Sequence, residues 1–127
     1  MDIEKYFAIQ YKEGGRDETG CDCYGLARIV LEREFGKKVN ALDWLNGGTF
    51  EAQEAAIAEG RALVKCEKVT DPMPGDIALM RVCGRPCHVG VFIEKGKVIQ
   101  INRRDGVGVV YLSELVRKGK LEGVYRV

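Results

Sequence analysis

The 127 residues contain one histidine, His88, so any cysteine–histidine chemistry in this chain must use it. There are five cysteines, and two of them stand one residue apart in Gly20-Cys21-Asp22-Cys23-Tyr24-Gly25-Leu26. Apolar periodicity places Cys23 in the first turn of a helix, with Asp22 as its N-cap. Unpaired backbone N–H groups and the positive end of the helix dipole there favour thiolate over thiol. Cys21 precedes the helix and lacks that support. His88 opens the apolar run HVGVFI, which reads as a strand whose outermost residue can lean over a helix end. A thiolate at a helix start and an imidazole at a strand start suit nucleophilic acyl transfer, with the imidazole carrying the proton. A third polar group must then hold the ring. Gln100 and Asn102 both offer one, since in KVIQIN they share a strand face by the period of two.

A metal site competes with that reading. Cys21-x-Cys23 and Cys83-x-x-x-Cys87-His88 supply five soft or borderline ligands, enough for a tetrahedral zinc in a structural protein. These are not the usual C-x-x-C knuckles, and Cys23 would have to ligate from inside a helix turn, so neither metal nor cofactor is expected. Cys66, Cys83 and Cys87 read as small buried hydrophobes or surface thiols. Gly14-Gly15 reads as a turn, because no lysine followed by Ser or Thr makes it a phosphate cradle.

The elements that would position these groups follow from pattern. DIEKYFAIQYK predicts a short helix, which EGGRDETG breaks with three glycines. From Asp22 to Phe35 the period is helical, with Cys23, Leu26, Ala27 and Val30 on one stripe and Gly36 as the stop. Residues 37–48 predict a loop containing Trp44, and residues 49–63 a second amphipathic helix with Ala52, Gln53, Ala56 and Ile57. DIALMRV, HVGVFIE, KVIQIN, GVVYL and EGVYRV then read as strands of a meandering antiparallel sheet, with SELVRKG as one or two helical turns before the last. Helices followed by strands predict one α+β domain over residues 1–127, its N-terminal helices packed on the sheet.

Composition narrows the partners. With 20 basic residues against 19 acidic ones there is no field to attract nucleic acid or an anionic membrane. No window approaches the roughly 18 apolar residues of a membrane span. The first residues hold acids and no apolar run, so no signal peptide is expected. The cysteines are then reduced, and their odd number argues against a disulfide framework.

Tyr11-Lys12-Glu13-Gly14-Gly15, a four-residue gap and Gly20-Cys21-Asp22-Cys23-Tyr24-Gly25-Leu26 resemble the signature of NlpC-type cell-wall cysteine peptidases. Pro74-Gly75-Asp76 and HVGVFIEKGKVIQI are similar to that family's Pro-Gly-Asp and His-Val-Gly strands, and the resemblance runs from about Tyr11 to Leu115. The family's third catalytic residue lies twelve positions after its histidine, where this chain has Gln100. The short chain, the aromatic after Cys23 and the ending EGVYRV resemble the phage-tail branch. The resemblance implies a papain-like fold in which Cys23 attacks, His88 serves as general base and acid, and Gln100 orients His88. It also implies that Tyr11 lines the cleft and Asp22 fixes the turn before the helix. The implied substrate is the peptide stem of bacterial peptidoglycan, typically between γ-D-glutamate and a diamino acid, with phage tail proteins as further partners.

Three positions depart from the family pattern: Tyr24 where serine is usual, Cys21 where an aromatic or aliphatic residue is usual, and Gln100 where histidine is commoner. Arg16, Arg81, Arg85, Arg103 and Arg104 lie near the motifs and are candidates to meet substrate carboxylates. A catalytically inactive relative serving as a tail or wall-binding component is the other class the sequence allows. Without a signal peptide, the expected location is the cytoplasm of the producing cell, with access to the wall through a tail, lysis or a holin-like route.

Overall fold

The computed structural model describes residues 1–38, 67–82 and 84–127, the side chains of residues 16 and 85–87 excepted. The expected Trp44 loop, the helix expected over residues 49–63, Cys66, Cys83 and the Cys87 side chain all lie outside that set.

The principal helix, α1, spans Cys23–Phe35. Asp22 caps its start, and Gly36, at φ 65°, takes the left-handed conformation that ends it. Burial on α1 extends well beyond the single expected stripe, to Tyr24, Leu26, Ala27, Ile29, Val30 and Leu31. The sheet covers one side, while Tyr6, Ile9 and Cys21, the last from the short hairpin of β1 (Arg16–Asp17) and β2 (Gly20–Cys21), add apolar cover elsewhere. The expected N-terminal helix shrinks to one 3-10 turn, Glu4–Tyr6. Tertiary pairing overrides propensity here: the Lys12 N–H donates to the Cys21 carbonyl at 2.9 Å, and the Cys21 N–H to that of Gln10 at 3.1 Å.

The main sheet contains β3 (Glu67–Val69), β4 (Ile77–Val82), β5 (Arg85–Glu94), β6 (Lys97–Asn102), β7 (Gly106–Tyr111) and β8 (Leu121–Arg126). Its order is β3-β8-β4-β5-β6-β7, with antiparallel pairs throughout. Strands β4 to β7 meander as expected. The last strand instead returns to the inside of the sheet, after the short helix α2 (Leu112–Arg117). Alternation sorts the strand residues onto two faces. Leu79, Val89, Val91, Ile99 and Ile101 pack with α1, whereas Ala78, Met80, Phe92, Val98 and Val124 pack with Leu115 of α2. The architecture is thus α+β, an antiparallel sheet with a helix on each face. Among the described residues no helix is long and apolar enough to cross a membrane.

Candidate active site

The start of α1 is held by one buried carboxylate. Asp22 is 3% exposed. The Gly25 N–H donates to its Oδ1 at 2.9 Å and the Gly14 N–H to its Oδ2 at 3.2 Å, while its own N–H donates to the Gly15 carbonyl at 3.3 Å. A Cβ on Gly15 would lie 2.2 Å from the Gly20 carbonyl oxygen, so the loop and β2 approach closely enough to require glycine. Cys23 is the first helical residue and is half-buried, whereas Cys21 is fully enclosed in the core. Burial thus distinguishes the two thiols: Cys21 packs as a small hydrophobe, and Cys23 sits among the orphan N–H groups of a helix start.

Tyr11 stands beside this turn, bridged through its backbone to Cys21. Burial holds its phenol above the usual range. The negative charge of nearby Cys23 and Asp22 adds to that shift and Arg103 opposes it. The Arg103 guanidinium lies 5.4 Å from the Tyr11 ring centre and 3.4 Å from the Glu13 carboxylate. The phenol therefore remains an O–H donor at neutral pH.

His88 lies in β5 opposite Met80, immediately beside a register shift that pairs Arg81 with Pro86. Such an irregularity re-aims the neighbouring side chain, a device common beside functional sites. The second residue after His88 also matters, because a Cβ on Gly90 would stand 2.6 Å from Val98 Cγ1 and 2.8 Å from the Ile99 carbonyl oxygen. The half-buried imidazole makes a short hydrogen bond, Nε2 to Gln100 Oε1 at 2.6 Å. An amide oxygen can only accept, so Nε2 carries the proton and donates it, leaving the lone pair on Nδ1. Asn102, the other candidate, has its amide oxygen engaged in the β6–β7 turn, where it accepts the Asp105 N–H at 2.7 Å. Burial lowers the His88 pKa below its ordinary value, and the Gln100 bond offsets part of that shift. The ring is a neutral base near pH 7.

His88 and Gln100 open onto a cavity of about 360 Å³ on the sheet face that carries Met80 and Leu115. The described residues lining that cavity do not include Cys23, which packs with Tyr11 against the core on the α1 side. The two groups share one end of the sheet, where β5 begins and β6 finishes. Arg103, one residue beyond β6, ties Tyr11 and Glu13 to that end. The structure therefore brings the site residues together as two sets, Cys23–Asp22–Tyr11 and His88–Gln100.

Of the five candidate arginines, Arg81 is committed to the Gly119 and Leu121 carbonyls and to Glu122, and Arg103 lies over Tyr11. Arg104 is exposed, and the Arg16 and Arg85 side chains fall outside the described set. Among the described residues no three His, Cys, Asp or Glu side chains are grouped to hold a metal ion. The Arg103–Tyr11 stack and the Asn102 turn bond carry no motif. Both depend on how a loop closes, and nothing local in the sequence announces them.

A helix opening on a half-buried cysteine, set against an antiparallel sheet with an amide-held imidazole at its end, defines a papain-like α+β domain. The chain belongs to the NlpC/P60 family, whose profile matches residues 8–126. It is similar to the NlpC/p60 domain of the peptidoglycan hydrolase SagA, with a TM-score of 0.60 and 19% identity over 97% of this chain and 91% of that one. A Staphylococcus aureus protein described as similar to lipoprotein, of the NLP/P60 family, superposes with a TM-score of 0.62 and 19% identity, over 100% of this chain and 42% of that one. In sequence, the chain is 27% identical to the gamma-DL-glutamyl hydrolase of Bacillus subtilis strain 168, over 99% of its own length and 28% of that protein's. It thus spans little more than a quarter of that relative.

Proposed function

We propose that the chain is a cysteine peptidase that hydrolyses peptide bonds in peptidoglycan stems, at the γ-D-glutamyl–diamino acid linkage. The observation that carries the reading is the His88–Gln100 bond, which fixes the imidazole with its proton on Nε2 and its lone pair on Nδ1. Nδ1 takes the Cys23 thiol proton, and the thiolate attacks the scissile carbonyl. The Cys23 backbone N–H supplies one donor to the resulting oxyanion. His88 returns the proton to the leaving amine as the C–N bond breaks. Water, deprotonated by His88, then splits the thioester and frees Cys23. Tyr11 lines the acyl side of the cleft and Asp22 holds the turn that presents Cys23. The γ-glutamyl assignment is supported by the Bacillus subtilis relative's name, and the wall substrate by that of the SagA domain. A working place in a phage or prophage tail rests on the resemblance of the aromatic Tyr24 after Cys23, and of the EGVYRV strand, to that branch.

The test is digestion of purified peptidoglycan, with fragments identified by mass spectrometry and Cys23→Ala as control. New amino termini at the diamino acid, absent with Cys23→Ala, support the reading. Intact wall with the native protein, while binding to wall persists, points to the wall-binding alternative.

A further inference from the structure

The cavity beside His88 is walled partly by residues of the sheet face away from α1, Met80, Val110 and Leu115, and partly by Val82, which packs with the α1 core, and its walls are chemically uneven. Met80, Val82, Val110 and Leu115 give it an apolar floor. Besides His88, Gln100 and Asn102, three charged residues line it: Arg81, Asp105 and Lys120. Arg81 is occupied, since its guanidinium donates to two carbonyls at 3.0 and 3.1 Å and pairs with Glu122 at 2.5 Å. Lys120 differs. Its backbone is pinned on both sides, its N–H donating to the Leu115 carbonyl at 2.8 Å and its carbonyl accepting the Arg81 N–H at 2.7 Å. Its ammonium makes no close ion pair among the described residues, although its charge is felt by Glu114, whose close partner is Lys118. A cation on a fixed base, exposed at the wall of an apolar cavity, is suited to an anion whose body lies on the floor.

The imidazole decides which part of a substrate this is. His88 must deliver its proton to the departing amine, so the leaving residue lies on the His88 side and the acyl portion on the Cys23–Tyr11 side. We propose that Lys120 is a specificity-determining residue, reading a carboxylate on the leaving residue bound in the cavity beside His88. This rests on the peptidase reading for its direction along the substrate. It selects leaving residues with an aliphatic body and a free carboxylate over their carboxamides, because the amide offers the ammonium no charge.

His88 is the only histidine, so its ring signals in an NMR spectrum report this cavity without ambiguity. The Cys23→Ala protein is titrated with norleucine and with norleucinamide, which differ only in the carboxylate. Because Lys120 is exposed, the acid should bind about three- to tenfold more tightly than the amide, the range of a solvent-screened ion pair. Lys120→Met should erase the preference and Lys120→Glu should reverse it. Lys118→Met, a neighbour paired instead with Glu114, should leave it unchanged. Equal affinities in the parent protein, no ring shift with either probe, or a preference that survives Lys120→Met would each overturn the proposal. None of these readouts needs turnover, so a failure of wall digestion and a failure of this subsite are told apart.

Discussion

Two cysteines one residue apart are distinguished by burial. Cys21 is 0% exposed and belongs to the core, while Cys23 stands half-open at the helix start. Near neutral pH, Cys23 should react with iodoacetamide well before Cys21, as mapped by peptide mass spectrometry. Cys21→Ser should keep most activity but lose about 1–3 kcal/mol of stability, because it buries a hydroxyl where a thiol packed. Cys23→Ala should lower hydrolysis by at least about 10⁴-fold with stability little changed. His88 allows a second check at this scale. Burial holds its pKa down and the Gln100 acceptor, which favours the protonated ring, lifts it partway back. Its NMR titration should therefore have a midpoint below that of an exposed histidine, and Gln100→Ala should move the midpoint lower still. In the same variant the ring is free to turn, and turnover should fall about ten- to a thousandfold. Gln100→His should retain much of it. Asn102→Ala should cost about 1 kcal/mol through the lost turn bond, with a small effect on turnover.

At the scale of elements, the junction between the Gly14–Gly15 loop and α1 is the part most sensitive to change. Asp22→Ala removes the acceptor of two backbone N–H groups and should cost about 1–2 kcal/mol in chemical denaturation, with Asp22→Asn recovering part of the loss. Gly15→Ala places a carbon against a backbone carbonyl, which cannot swing aside as a side chain would, and should cost more than about 2 kcal/mol. Helix α1 was readable because its cap, its apolar period and its glycine stop are all local signals, and strands β4 to β8 were readable from β-branched runs between turns. What was not readable is non-local. The N-terminal segment has helical composition, but residues 10 and 12 exchange hydrogen bonds with Cys21 and hold it extended. Strand β3 is only Glu67–Val69, two charged residues and a valine, with no alternation long enough to register. The candidate site shows the same division. Cys23, Asp22, His88 and Gln100 are candidates that motif and spacing single out. Arg103 was only one of five candidate arginines, and its seat over Tyr11, like the place of Lys120 at the cavity wall, depends on how a loop closes.

At the scale of the molecule, the sheet depends on a strand that arrives last. Strand β8 lies between β3 and β4, and its Arg126 meets Asp76 at the start of β4. Asp76 is 1% exposed and accepts the Arg126 Nε–H at 2.9 Å, an Arg126 terminal N–H at 2.8 Å and the Met73 N–H at 2.8 Å. Burial alone would raise this carboxyl, but the Arg126 bonds, the Met73 N–H and the surrounding positive charge outweigh it and hold the pKa below the ordinary carboxylate value. A carboxylate depressed in the folded state contributes its full stability above its unfolded pKa, near 4, and loses it as pH falls through the lower folded value. Asp76→Ala strands the Met73 donor and the guanidinium, and should cost about 2–4 kcal/mol near neutrality. That penalty should shrink towards acid, since the parent protein then surrenders the same contribution. Urea denaturation of both proteins from pH 7 to pH 2.5 measures it directly. A difference that stays constant across the range would mean that the Asp76–Arg126 clasp adds packing but no charge-dependent stability. The closure of the sheet by its last strand would then have to be assigned to β8's apolar contacts with the α2 side, Val124 foremost.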